Sequence, residues 1–185
     1  MIGFCEKWWM TAARGVVALA FGMAVLAWPS LEHRTLAVAF GVFALVDGLM
    51  LAALALVARD VLEQWWLVLV ESCVSLVVAG VALLWRAGDG IGLLALIAAW
   101  AVVTGVVEVE AGVRLRRLAS GETSLLLAGG LSLVVGIALV ALPESEAVRL
   151  AWAIGGFGVL YGATLMLVAT RLRRLALAAR PALRR

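Results

Sequence analysis

Charged residues are scarce in this chain, at 15% of 185 residues against about 25% in an ordinary soluble domain. Histidine occurs once, as His33, and cysteine twice, as Cys5 and Cys73. These shortages exclude a good deal of chemistry. One histidine, and two cysteines at different depths, supply neither a metal-ligand set nor a disulfide. No nucleophile stands beside a base, and no glycine loop has the phosphate-binding pattern. The reading is therefore of a non-enzyme with no cofactor and no metal. What fills the sequence instead is apolar: 65% hydrophobic residues and a mean hydropathy of +1.12, where soluble domains average about 45–50% apolar. The expected class is an all-α integral membrane protein.

Six apolar runs, near 8–28, 35–58, 65–86, 91–113, 123–142 and 148–170, are each long enough to cross a hydrocarbon core of about 30 Å. Little chain is left over, so residues 1–185 are read as one membrane domain. The first run follows Lys7 and ends Val25-Leu26-Ala27, a pattern shared with secretory leaders, but its copies later in the chain argue for a retained helix. Basic residues sort to one side of such a six-span topology: Lys7, Arg14, Arg59, Arg114, Arg116, Arg117, Arg171, Arg173, Arg174, Arg180, Arg184 and Arg185, against Arg34, Arg86 and Arg149 on the other. That asymmetry predicts both termini in the cytoplasm of a bacterial inner membrane. The net charge of +3 then reports topology, and nucleic acid is not an expected partner. The expected partner is the lipid bilayer, with anionic headgroups suited to the arginine-rich tail; a homo-oligomer stays open.

The chain repeats itself at 57 residues. Trp8-Trp9 returns as Trp65-Trp66, Trp28 as Trp85, and Pro29 as Pro143 at twice that offset. In register, Gly15 aligns with Ser72 and Gly129, Ala18 with Ser75 and Ser132, and Gly22 with Ala79 and Gly136. Further on, Gly41 aligns with Ala98 and Gly155, Ala44 with Ala101 and Gly158, Gly48 with Gly105 and Gly162, and Arg59 with Arg116 and Arg173. Positions three, four or seven apart share a helix face, so these small residues form stripes. Helices in lipid associate through close backbone approach at such residues, which makes Gly15, Gly22, Gly41, Gly48, Gly105, Gly129, Gly136, Gly155 and Gly162 the expected packing positions. Trp9 and Trp28 lie about 28 Å apart on a helix, the separation of two aromatic belts. Each repeat (8–64, 65–121, 122–178) contains two spans and so returns in the same orientation. The expected fold is a six-transmembrane-helix bundle of three tandem parallel helical hairpins with pseudo-threefold symmetry.

Against this apolar background a few ionisable residues stand out. Asp47 is about 18 Å along its helix from Arg59 and about 20 Å from Arg34, near mid-bilayer; its repeat equivalents are Thr104 and Tyr161. Arg14 and Glu71 occupy equivalent positions in repeats one and two, each about 9 Å from the first residue of its tryptophan pair, and Ala128 fills the third. Glu108 sits one turn from Thr104. Intramembrane charges face the protein interior and find partners, so Arg14, Asp47, Glu71, Glu108, Thr104 and Tyr161 are expected to form a buried polar cluster. Equal depth and opposite charge favour an Arg14–Glu71 pair. Two readings of the cluster compete: a satisfied clamp that fixes helix register, and a proton-responsive or proton-conducting chain of carboxyl groups. Because the third repeat carries Ala128, Tyr161 and Leu165 at the matching places, activity is expected between the first two hairpins.

Other features have plainer readings. His33 is a solvated loop residue, Glu110 and Arg114 an ordinary i, i+4 pair, and the aromatic column Phe43, Trp100, Phe157 a packing layer.

Several motifs together resemble the HdeD family of acid-resistance membrane proteins: Ala13-Arg14-Gly15, Asp47-Gly48, Glu71-Ser72 where that family usually has Glu-Gly, Ala99-Trp100, Gly105-Val106-Val107-Glu108 and Arg114-Leu115-Arg116. Arg86 departs from the pattern, standing where the family tends to have proline. The resemblance covers nearly the whole chain. It implies a six-helix bacterial inner-membrane protein associated with survival of acid or envelope stress, as a structural or interaction protein of the bilayer; the alternative is a small proton-linked transporter or channel using its intramembrane carboxylates.

Overall fold

The computed structural model describes residues 8–60, 65–84, 90–118, 124–141 and 147–179. Six α-helices occupy them: α1 Trp8–Ala27, α2 His33–Ala58, α3 Trp65–Leu84, α4 Gly90–Leu118, α5 Ser124–Ala141 and α6 Ala147–Ala179. All of α1, α2 and α3, with Gly92–Glu110 of α4 and Ala151–Arg174 of α6, are long and apolar enough to cross a membrane. The remaining helix, α5, has 18 residues, about 27 Å of rise, and is apolar over Gly129–Ala138. Large apolar side chains such as Met23, Trp28, Leu84, Val134 and Leu167 are exposed on the outside of the bundle, a surface suited to lipid. By length and composition this is a multi-pass helical membrane protein.

Local chemistry sets the helix ends. Residues that precede proline avoid the helical region, and α1 accordingly stops at Ala27, with the Trp28 amide donating to the Val25 carbonyl at 3.3 Å in a tightened last turn. Glu32 then caps α2 in an extended conformation, and helical bonding starts with the Leu36 amide on the Glu32 carbonyl at 3.0 Å. This start at His33 puts the histidine in the first helical turn, where a loop was expected. Both α4 and α6 continue past the apolar runs, to Leu118 and Ala179 in place of 113 and 170. Their continuations consist mainly of arginine, leucine and alanine, strong helix formers that carry the backbone on after the hydrophobic pattern stops.

The most intimate packing joins α1 to α6, α2 to α3 and α4 to α5. Helices that follow one another within a repeat (α1 with α2, α3 with α4, α5 with α6) touch much less. A hairpin is therefore not the packing unit: the second helix of one repeat packs on the first helix of the next, and α6 closes back onto α1. Glycine permits this. A Cβ added to Gly22 would stand 2.5 Å from the Val159 nitrogen and 2.7 Å from the Gly155 oxygen, and one on Gly129 would stand 2.6 Å from the Val109 nitrogen. Equivalent residues meet at all three interfaces. Gly48 faces Leu76, Gly105 faces Leu133 and Gly162 faces Leu19, while Gly41 faces Leu83 and Gly155 faces Leu26. The remaining expected positions behave alike, Gly15 lying against Met166 and Gly136 against Val102. Gly80, Gly130 and Gly156 have nothing near the place of a Cβ.

Side chains of α2, α4 and α6 converge in the middle of the bundle. Trp100 meets Phe40 and Phe43 edge-on, both at 5.7 Å between ring centroids, and Phe157 and Tyr161 at 6.1 and 5.9 Å. Phe21 of α1 stacks on Phe43 at 4.7 Å. At the end that carries the termini, Met10, Leu54 and Ala58 form a second, smaller apolar cluster with Val68 against it. Arg173 lies 5.1 Å over the Trp8 ring there, which fixes the first and last helices at one end through a cation–π contact.

Candidate functional site

One helical turn from the aromatic layer, toward the terminus-bearing end, lie the buried polar side chains. The guanidinium of Arg14 forms a fork: Nε donates to Asp47 Oδ1 at 2.8 Å and a terminal nitrogen donates to Oδ2 at 3.2 Å. That same terminal nitrogen donates to the Tyr161 hydroxyl at 2.9 Å and stands 3.5 Å from Glu71 Oε1. The Tyr161 hydroxyl in turn donates to Glu108 Oε1 at 3.2 Å. Five helices thereby contribute: α1 gives Arg14, α2 Asp47, α3 Glu71, α4 Glu108 and α6 Tyr161. None of these residues is more than 6% exposed.

The expected Arg14–Glu71 pair is present at 3.5 Å, but the closer, bidentate partner of Arg14 is Asp47. Equal depth on equivalent helices proved a weaker guide than the fork of a guanidinium, which matches a carboxylate in bidentate fashion. The third repeat enters the cluster through Tyr161, as its place in the Asp47 column led one to expect. Its phenol replaces the carboxylate of the Asp47 column and bridges an acid to a base. Thr104, the third member of that column, is 1% exposed, and its Oγ1 has no hydrogen-bond partner. Glu71 Oε1 and Glu108 Oε2 likewise lack hydrogen bonds. Unsatisfied buried oxygens are costly and invite a functional explanation.

The serines of the small-residue columns have polar roles that size alone does not reveal. Ser72 stands where the resemblance has glycine and donates to the Gly48 carbonyl at 2.8 Å. Ser75 accepts the Trp100 indole N–H at 2.9 Å. The available signal was Trp100 itself, because a buried indole N–H needs an acceptor. Thr164, at the edge of the bundle, hydrogen-bonds back onto its own helix at the Leu160 and Tyr161 carbonyls. Cys73 is an exposed free thiol. Cys5, Trp85, Arg86 and Pro143 lie outside the described residues, as do the side chains of Ala128 and Arg114. Among the described residues no group of three or more histidine, cysteine, aspartate or glutamate side chains is arranged to hold a metal ion.

Residues 13–85 and 70–141 each match the model of a short repeat of unknown function, DUF308. The matches begin at residues 13 and 70, the same spacing that sets Gly48 against Gly105 and Trp8 against Trp65. No curated protein and no solved structure matches the chain. This repeat is the domain family of HdeD-like membrane proteins. With two overlapping copies over most of its length, the chain belongs to the DUF308 short-repeat family.

Proposed function

We propose that the protein is a bacterial inner-membrane component of acid or envelope stress resistance, similar to the HdeD proteins, that acts as a structural or interaction protein in the bilayer. In this reading both termini are cytoplasmic, and the three tandem repeats, hairpins in chain order whose helices pack mainly on the neighbouring repeats, are arranged about a pseudo-threefold axis. The equivalent contacts at the three helix interfaces support that symmetry. The observation that carries the functional reading is the enclosure of the polar cluster. Phe43, Trp100 and Phe157 lie on one side, and Leu51, Leu54, Leu165 and Val168 on the other, each at most 6% exposed. Packing of this kind suits a rigid clamp better than a pore. Acid challenge of cells lacking the gene is the test: wild type and Glu108→Gln restore survival, Arg14→Ala does not. If deletion leaves survival of both acid and envelope stress unchanged, the reading is wrong.

A second reading has a specific observation in its favour. Glu71 Oε1 and Glu108 Oε2, buried without hydrogen bonds, are what a proton-linked transporter or channel would place in mid-membrane. Loss of proton flux in Asp47→Asn and Glu108→Gln, with folding retained, would support it.

A further inference from the structure

Charge does not balance within the cluster. One guanidinium faces three carboxyl groups, and it gives its bidentate fork to Asp47 alone. Glu71 receives a 3.5 Å ion-pair contact, while Glu108 receives only the Tyr161 hydroxyl. If every group were ionised, two net negative charges would sit in a site whose residues are 2–6% exposed, at several kcal/mol per uncompensated ion. α5 offers no relief, because it carries no ionisable residue from Ser124 to Ala141. A small positive ligand would relieve this excess. The donor arrangement is not that of a metal site among the described residues, but a proton needs no coordination shell and binds a single oxygen. Glu108 Oε2 is such an oxygen, with no hydrogen-bond partner, and Glu71 is the next candidate, its Oε1 held only by the 3.5 Å contact to Arg14.

Access is unequal from the two ends. Away from the termini, the cluster is covered first by Phe43, Trp100 and Phe157, then by Phe40, Ile97 and Ile154, then by Leu36, Leu93 and Ala151, none more than 5% exposed. From Asp47 to the start of α2 at His33 that cover is about 21 Å thick. In the other direction the cover is thinner: Leu51, Leu54, Leu165 and Val168 lie over the cluster, and Arg14 and Glu71 are about 9 Å from Trp8 and Trp65, the first residues of α1 and α3. Thr11, a polar residue three positions from Arg14 on that side, is the most exposed of the buried polar residues at 8%.

We infer that the Arg14–Asp47–Glu71–Glu108–Tyr161 cluster is a proton-binding site filled from the terminus-bearing end alone, with Glu71 and Glu108 as the receiving carboxylates. At each of the two, hydronium gives its proton to a carboxylate oxygen and leaves as water; one O–H bond forms, one breaks, and the cluster gains one positive charge per proton bound. Such a site senses the pH of one compartment without passing protons to the other. This inference rests on the closed-bundle reading, and its test separates the two.

The experiment uses the full chain in vesicles of one orientation, sorted by accessibility of a C-terminal tag. The infrared band of protonated carboxyl groups is followed while pH is lowered from about 8 to about 5 on one side at a time, and a trapped dye reports flux. Acid on the terminus side is expected to raise the band, and acid on the other side is not. The rise persists in Glu32→Gln, falls to roughly half in Glu108→Gln and vanishes in the Glu71→Gln/Glu108→Gln pair. An equal response from both sides, no response from either, a rise that survives in the pair, or a response to sodium in place of pH overturns the proposal. The wild-type sidedness needs no variant to fold. Flux together with a one-sided band defeats the closed bundle but keeps the site; no flux and no band keeps the closed bundle and defeats the site.

Discussion

The layer of Phe43, Trp100 and Phe157 and the layer of Asp47, Thr104 and Tyr161 sit one turn apart on the same three helices, and each draws one residue from each repeat. In the first layer the repeat is kept: three aromatic rings at equivalent positions meet with centroid separations of 5.7 and 6.1 Å. In the second it is broken. A carboxylate, a hydroxyl and a phenol occupy the equivalent places, and Arg14 binds two of them. Apolar groups in a packed interior need only shape and volume, which three similar copies can share. A buried cation needs particular acceptors within hydrogen-bond reach, and here a carboxylate and a phenol supply them. Repetition therefore builds the scaffold, and departures from it build the chemistry.

The largest effect that would break this contrast comes from Arg14→Ala, which leaves Asp47 and Glu71 without their cation. Its expected cost is about 3–5 kcal/mol, read from a denaturing-detergent titration of the folded protein. A loss below that of ordinary packing variants would show that the polar layer is no more demanding than its neighbour. Next comes Gly22→Ala, whose added methyl meets the backbone of α6 at Val159 and Gly155; overpacking of this sort costs about 1–3 kcal/mol. Gly48→Ala should cost less in the same titration, since its nearest neighbours are the side-chain carbons of Leu76 at 3.0 and 3.1 Å, which have some freedom to shift. Tyr161→Phe removes the bridge between Arg14 and Glu108 with little change of shape. At the scale of interhelical hydrogen bonds in membranes it should cost about 0.6–1.7 kcal/mol, with the ring packing on Phe157 retained in near-ultraviolet circular dichroism. Smallest of all is Gly156→Ala. With nothing near its Cβ position, it should shift stability by no more than about 0.5 kcal/mol, and a large shift would mean that this face of α6 is packed against something.

Much of the scaffold was legible before any coordinates. A strict register needs no three-dimensional information, so the 57-residue offset located the small-residue stripes and the aromatic column, while the hydrophobic runs missed the arginine-bearing ends of α4 and α6, which continue to Leu118 and Ala179. The pairing of stripes was not legible in the same way. Gly15 and Gly162 carry the same signal as Gly15 and any other glycine, and the closing contact of α6 on α1 appears only once the chain is folded. The cluster was read as a set of residues more successfully than as a set of bonds. Depth on a helix is a one-dimensional quantity, and it brought Arg14 level with Glu71; the direction in which the guanidinium extends selected Asp47 and Tyr161. Ser75 was hidden for another reason, because it sits in a column otherwise explained by size.

In the proposed closed bundle the polar cluster is enclosed, with no continuous path from one face to the other. Purified protein in liposomes carrying a trapped pH-sensitive dye tests it most directly. An imposed pH gradient should decay no faster than in protein-free vesicles; a faster decay that Asp47→Asn abolishes would contradict the claim.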